Sequence, residues 1–103
     1  MKKDEFTITK EETAEGLRFT VEGRVDSINS PTLQSELDKA VKDGAKRIVL
    51  YMYKVEFLSS AGIRVILKTH KDITKAGGSL AISHPSANVK NVLGMAALNE
   101  LLV

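Results

Sequence analysis

Ile48-Val49-Leu50-Tyr51-Met52-Tyr53 is a six-residue apolar run without polar alternation, set between two stretches of helical periodicity. A run this short reads as a strand, and the missing alternation is the pattern of a strand covered on both faces under helices. Tyr51 and Tyr53 would then point to one face and pack in the core. A helix on either side of such a strand implies right-handed crossovers and parallel pairing.

The flanking segments supply those helices. Ser30-Pro31 is a start signal, serine as N-cap and proline at the first helical position. Leu33, Leu37, Ala40 and Val41 follow on one face, and Lys42-Asp43-Gly44 ends the helix. The second helix is expected from about Ser60 to Ala76, with Ile63, Ile66, Leu67, His70 and Ile73 buried and Gly77-Gly78 as its stop. Arg64, Lys68, Lys71 and Lys75 form a basic ridge on another face, which fits solvation or an acidic partner surface. Leu80-Ala81-Ile82 is a further short strand. Pro85 and Ser86 open a last helix with Val89, Val92 and Leu93 inward, ended by Gly94. Leu98, Leu101, Leu102 and Val103 make an apolar tail expected to dock.

At the other end, Phe6 to Thr9 and Leu17 to Val21 alternate about Glu15-Gly16 and predict an antiparallel hairpin closed by Gly23. Glu11, Glu12 and Glu15 suit a solvated edge. The expected class is therefore α/β: a small mixed β-sheet, N-terminal hairpin plus parallel βαβ units, with helices packed on it. With 103 residues, residues 1–103 are read as a single domain.

Function has few handles. The net charge of +2 is too small to argue for nucleic acid, and aromatic platforms are scarce. No cysteine is present, so disulfides, thiolate metal sites and cysteine nucleophiles are excluded. His70 and His84 have no local carboxylate or cysteine partners, and no metal or cofactor is expected. Met-Lys-Lys-Asp-Glu opens the chain with no apolar run behind it, so no signal peptide or membrane insertion is expected and the cytoplasm is the default location. There is no GxGxxG or P-loop pattern, and Phe57-Leu58 stands where a nucleophile elbow needs glycine, which argues against a serine hydrolase and against an enzyme generally.

What remains is Val55 to Leu67, read as a strand end, a Ser59-Ser60 turn and the opening of the second helix. A serine at that place is an ordinary N-cap. It also stands where backbone N–H groups and the helix dipole favour an anion.

These residues carry a resemblance. Gly23-Arg24-Val25-Asp26, the capped helix, the apolar strand, Val55-Glu56-Phe57-Leu58-Ser59-Ser60-Ala61-Gly62-Ile63 and Gly77-Gly78 resemble a STAS domain, more narrowly the bacterial anti-sigma factor antagonists. The likeness runs from about Phe6 to the end. It implies a binding switch. The unphosphorylated protein binds an anti-sigma factor that is also a serine kinase, and so frees a sigma factor. The kinase phosphorylates the serine before the Ala-Gly of the turn, here Ser60, with Ser59 as the alternative, and a serine phosphatase restores binding. The resemblance places Asp26, Ser59, Ser60, Ala61, Gly62 and Arg64 on the partner-facing end and implies a monomer or weak dimer. Two positions differ from the common family pattern: Ser59 stands where many members carry aspartate, and Tyr51-Met52-Tyr53-Lys54 lacks an aspartate common near the end of the central strand. The other reading is a non-switching STAS adaptor subunit of a transporter or stress-signalling complex.

Overall fold

The computed structural model describes residues 6–102. The reading of the first five residues and of Val103 lies outside that range. Strand β1 (Phe6–Thr13) and strand β2 (Gly16–Val25) form the hairpin. Helix α1 (Ser30–Lys42), strand β3 (Arg47–Leu58), helix α2 (Ser60–Lys75), strand β4 (Ser79–Ser83) and helix α3 (Ala87–Met95) follow, then a short 3-10 turn at Asn99–Leu101. The sheet order is β1-β2-β3-β4, antiparallel at the hairpin and parallel in both other pairs. The mixed α/β architecture expected from periodicity is the one observed.

The helices do not cover both faces of β3. Phe19, Val21, Ile48, Leu50, Met52, Leu80 and Ile82 share one core with Leu33 and Leu37 of α1, Ile66 and Ile73 of α2, and Val89 and Leu93 of α3. The register sets Arg18, Val49 and Ala81 side by side on the opposite face, outside that core. The cause is topological. Both crossovers move across the sheet in the same direction, so two right-handed connections put α1 and α2 on one side. Val49 and Ala81 are nonetheless buried, shielded by their neighbours on the sheet. The tyrosines are not core residues either. Tyr51 lies under the Arg18 guanidinium at 4.6 Å and stacks with His84 at 4.9 Å, while Tyr53 is 49% exposed. An aromatic ring on an open face is held by cation–π and stacking contacts rather than by burial.

Strand β3 also runs twice as far as its apolar run. Beyond Tyr51 it keeps β2 as one neighbour and gains the start of α3 as the other. Ser86 N–H donates to Met52 O at 3.1 Å, and the Ser86 hydroxyl donates to Val55 O at 2.7 Å. That hydroxyl also accepts from Val89 N–H and so caps α3. Gly23 does not close β2. Its φ is 99°, and the pairing with β3 shifts there, with Glu56 as the extra residue on β3, while β2 itself continues to Val25. Gly94 likewise lies inside α3. The reversal falls at Ala97, φ 58°, where Leu98 N–H donates to Leu93 O at 2.8 Å and turns the apolar tail inward. Leu101 is buried, and Leu102 bridges to Ile82 beside β4, so the tail docks as expected.

In α2 the buried residues are Gly62, Val65, Ile66, Thr69 and Ile73. Leu67 is 41% exposed and His70 is only half-buried, so the expected stripe is rotated by part of a turn.

Candidate functional site at the mouth of helix α2

Parallel strands β2 and β3 end side by side, Val25 opposite Leu58, and α1 and α2 start from those ends. Brought to one edge in this way are the Asp26 loop and the serine turn. The joint between them is the Val25 carbonyl. It accepts Ser59 N–H at 2.9 Å and the Ser59 hydroxyl at 2.9 Å.

The two serines are thereby given different tasks. Ser59 has extended backbone, φ −84° and ψ 173°, and its Oγ accepts from Gly62 N–H at 3.2 Å. It is the N-cap of α2, with its hydroxyl used once as donor and once as acceptor. Ser60 is the first helical residue. Its side chain is exposed and makes no hydrogen bond among the described residues. The local sequence explains the split. A cap needs non-helical backbone, and only the residue ahead of the first helical turn has it.

Gly62 is buried against the strand ends. A Cβ there would lie 2.6 Å from Leu58 Cδ1 and 2.8 Å from Val25 Cγ1. Glycine is what lets α2 enter this close to the sheet, and no side chain of this residue faces outward. Ala61 is half-buried beside it, and Arg64 is exposed one turn further on.

Asp26 braces its own loop. Its carboxylate accepts from Ile28 N–H at 3.0 Å and Asn29 N–H at 2.9 Å, with Arg24 Nε at 3.8 Å. Asn29 closes the loop by donating from Nδ2 to Arg24 O at 2.8 Å. The expected cap of α1 is corrected here. Asn29, not Ser30, precedes the first helical residue, with backbone already near helical (φ −90°, ψ −21°) and no side-chain cap bond, and Ser30 is helical and 4% exposed, its hydroxyl without a partner among the described residues. Asp26 O already accepts Ser30 N–H at 2.8 Å, so the turn is made one residue earlier than the Ser-Pro pair suggests.

Two features were not read from the sequence. Ile28 is 81% exposed at the tip of the braced loop, and the Arg24 guanidinium lies 4.5 Å over the Phe57 ring. An isolated isoleucine in a polar loop was the available signal for the first. The second follows only from the register that pairs Arg24 with Phe57.

The geometry suits binding and modification. Among the described residues neither serine hydroxyl is hydrogen-bonded to a histidine or carboxylate, the arrangement that activates a nucleophile. Among the described residues no group of three His, Asp or Glu could hold a metal, and no helix is long and apolar enough to cross a membrane. The first turn of α2 carries no acidic side chain to repel an added anion.

The assignment of roles is checked by stability. Ser59→Ala removes the cap and the bond to Val25, and should cost about 1–2 kcal/mol. Ser60→Ala removes nothing but an exposed hydroxyl and should stay within about 0.5 kcal/mol of the parent. Urea titration of both variants decides it; a larger loss for Ser60→Ala would exchange the roles.

A family model described as STAS domain matches residues 7–102. The chain belongs to the STAS domain family. Among its relatives is the BtrV protein of Bordetella bronchiseptica, provisionally named an anti-sigma factor antagonist, 33% identical over 72 residues. That match covers 70% of this STAS chain and 62% of the relative, less than two thirds of the latter's length. An anti-sigma F factor antagonist of Paenibacillus polymyxa is 28% identical over 81 residues, covering 78% of this chain and 69% of that one. In fold, the chain is similar to the anti-sigma factor antagonist SpoIIAA. The unphosphorylated form gives a TM-score of 0.82 at 19% identity, covering 96% of this chain and 86% of that one. The phosphorylated form gives 0.77 at 18% identity, covering 96% and 89%. These structural likenesses establish the STAS fold. Within that fold the cap of α2 is here a hydroxyl, which accepts from Gly62 and donates to Val25; an ionised aspartate could do only the first.

Proposed function

We propose that this STAS chain is a phosphorylation-regulated anti-sigma factor antagonist. In its unmodified form it binds an anti-sigma factor that is also a serine kinase and so releases a sigma factor. Phosphorylation of Ser60 blocks that binding, and a serine phosphatase restores it. The chain acts in the cytoplasm as a binding module. The observation that carries this reading is the division of labour in the turn: Ser59 is occupied by two backbone contacts, and Ser60 stands exposed and unengaged at the helix mouth. A phosphate there carries about −1.5 to −2 charges and meets the favourable end of the α2 dipole. Asp26, Ala61 and Arg64 lie on the partner-facing surface around it, and Gly62 and Ser59 hold the turn in shape.

The test is incubation with the cognate kinase and Mg-ATP, followed by intact-protein and fragment mass spectrometry. One phosphate should be added on Ser60. Ser60→Ala should abolish the addition while keeping partner binding, and Ser59→Ala should retain it. Label on Ser59 alone would move the acceptor by one residue. Binding without any phosphate transfer would favour the non-switching adaptor.

A further inference from the structure

Leu67 was expected in the core and lies at the surface. Its neighbours give this a meaning. Ser60, Arg64, Leu67, Lys71 and Thr74 follow at i, i+4, i+7, i+11 and i+14, one continuous stripe along α2. All five are exposed. Leu67 thus sits between Arg64 and Lys71, with Lys75 beside the stripe's far end.

Charge along this face is uneven. Lys68 is already satisfied by Asp72 at 2.8 Å and Asp38 at 3.3 Å. Those two bonds, Asp72 first, hold its ammonium above the ordinary lysine pKa. Arg64, Lys71 and Lys75 have no acidic partner among the described residues. An open depression of about 980 Å³ lies over this side of the molecule, lined by Arg64, Leu67 and Lys71 together with Ala61, Ser27 and Pro31. Ser30 and His70 also line it.

We propose that the outer stripe of α2 docks an acidic amphipathic segment of the protein partner. An apolar side chain of that segment packs on Leu67, and its carboxylates lie over Arg64, Lys71 and Lys75. A face of about 24 Å, the length of a 16-residue helix, suits a short helix or extended peptide. One leucine without aromatic neighbours is a poor membrane anchor, and three unpaired cations are a thin patch for nucleic acid. The proposal rests on the reading of Ser60 given above and extends it. A phosphate on Ser60 lies four residues before Arg64, the spacing at which helix side chains pair, so modification withdraws the first cation of the stripe from the partner.

Calorimetric titration with the cognate anti-sigma factor kinase tests this. Arg64→Glu, Leu67→Glu and Lys71→Glu should each weaken binding by about tenfold or more in low salt, with melting temperature unchanged. Lys39→Glu, on the exposed side of α1, should leave affinity within about twofold. Carbodiimide should couple Lys71 or Lys75 to aspartate or glutamate of the kinase. If Ser60→Asp weakens binding but the three stripe variants do not, the docking surface is wrong and the switch stands. If Ser60→Asp and the stripe variants all bind like the parent, both fall. Cross-links confined to Lys39, Lys42 or Lys90, or stripe-dependent binding to phosphatidylglycerol vesicles, would also overturn the proposal.

Discussion

Gly62→Val should lower the stability of this fold by about 2–3 kcal/mol, the cost of forcing extra carbon atoms into a filled site. The first added carbon already meets Leu58 Cδ1 at 2.6 Å and Val25 Cγ1 at 2.8 Å, and Val25 O at 3.2 Å. Leu58 can turn aside in part. Val25 is β-branched and fully buried, and has no second place to go. Valine would bring two further methyl groups into the same gap. Helix propensity favours leaving glycine by something under 1 kcal/mol, too little to offset the overlap. For a chain of about 100 residues the loss corresponds to a fall in melting temperature of roughly 10–20 °C. Gly62→Ala should fall between the two, since alanine recovers the most propensity and adds the fewest atoms. Calorimetry of the pair measures both. A melting temperature within about 2 °C of the parent for Gly62→Val would show that α2 can lift from the strand ends at little cost.

Ser60→Asp should do the reverse to the two observables: fold slightly tighter, bind far more weakly. The first turn of α2 has no acidic residue. A carboxylate there should add about 0.3–1 kcal/mol through the helix dipole. At a packed contact with the partner, the same charge has to be buried or expelled. A loss of about 4 kcal/mol, ordinary for an unpaired interfacial charge, lowers affinity by nearly a thousandfold. Titration calorimetry against the kinase and a thermal melt of the free protein give the two numbers. A variant that binds weakly because it is partly unfolded would place the effect in the fold and end the surface interpretation.

Much of the architecture was legible because it is written locally. Alternation in Leu17, Phe19 and Val21, the spacing in α1, and the glycines after α1 and α2 each report on their own neighbourhood. Errors arose where a residue's role is decided by something distant. Tyr51 reads as core until the direction of both crossovers is known, because that direction leaves its face without a helix. The second half of β3 carries Lys54 and Glu56 and lies outside the apolar run, though Val55 onward reads as a strand end. It is a strand because β2 flanks one side and α3 the other. Leu67 fits an apolar stripe as well as Val65 does, and only the seat of α2 on the sheet chooses between them. At the site, the serine pair was visible but its division was not. Choosing the cap requires the Val25 carbonyl, 34 positions earlier in the chain.

That carbonyl has an enzymological consequence. By tethering the serine turn to the end of a neighbouring strand, it keeps the Ser60 hydroxyl on a formed helix instead of a pliable thread. Under the proposed switch, the kinase would have to receive Ser60 as a rounded, three-dimensional corner in its cleft. A linear peptide copying residues 55–67 offers no such corner and should be a poor substrate even at high concentration.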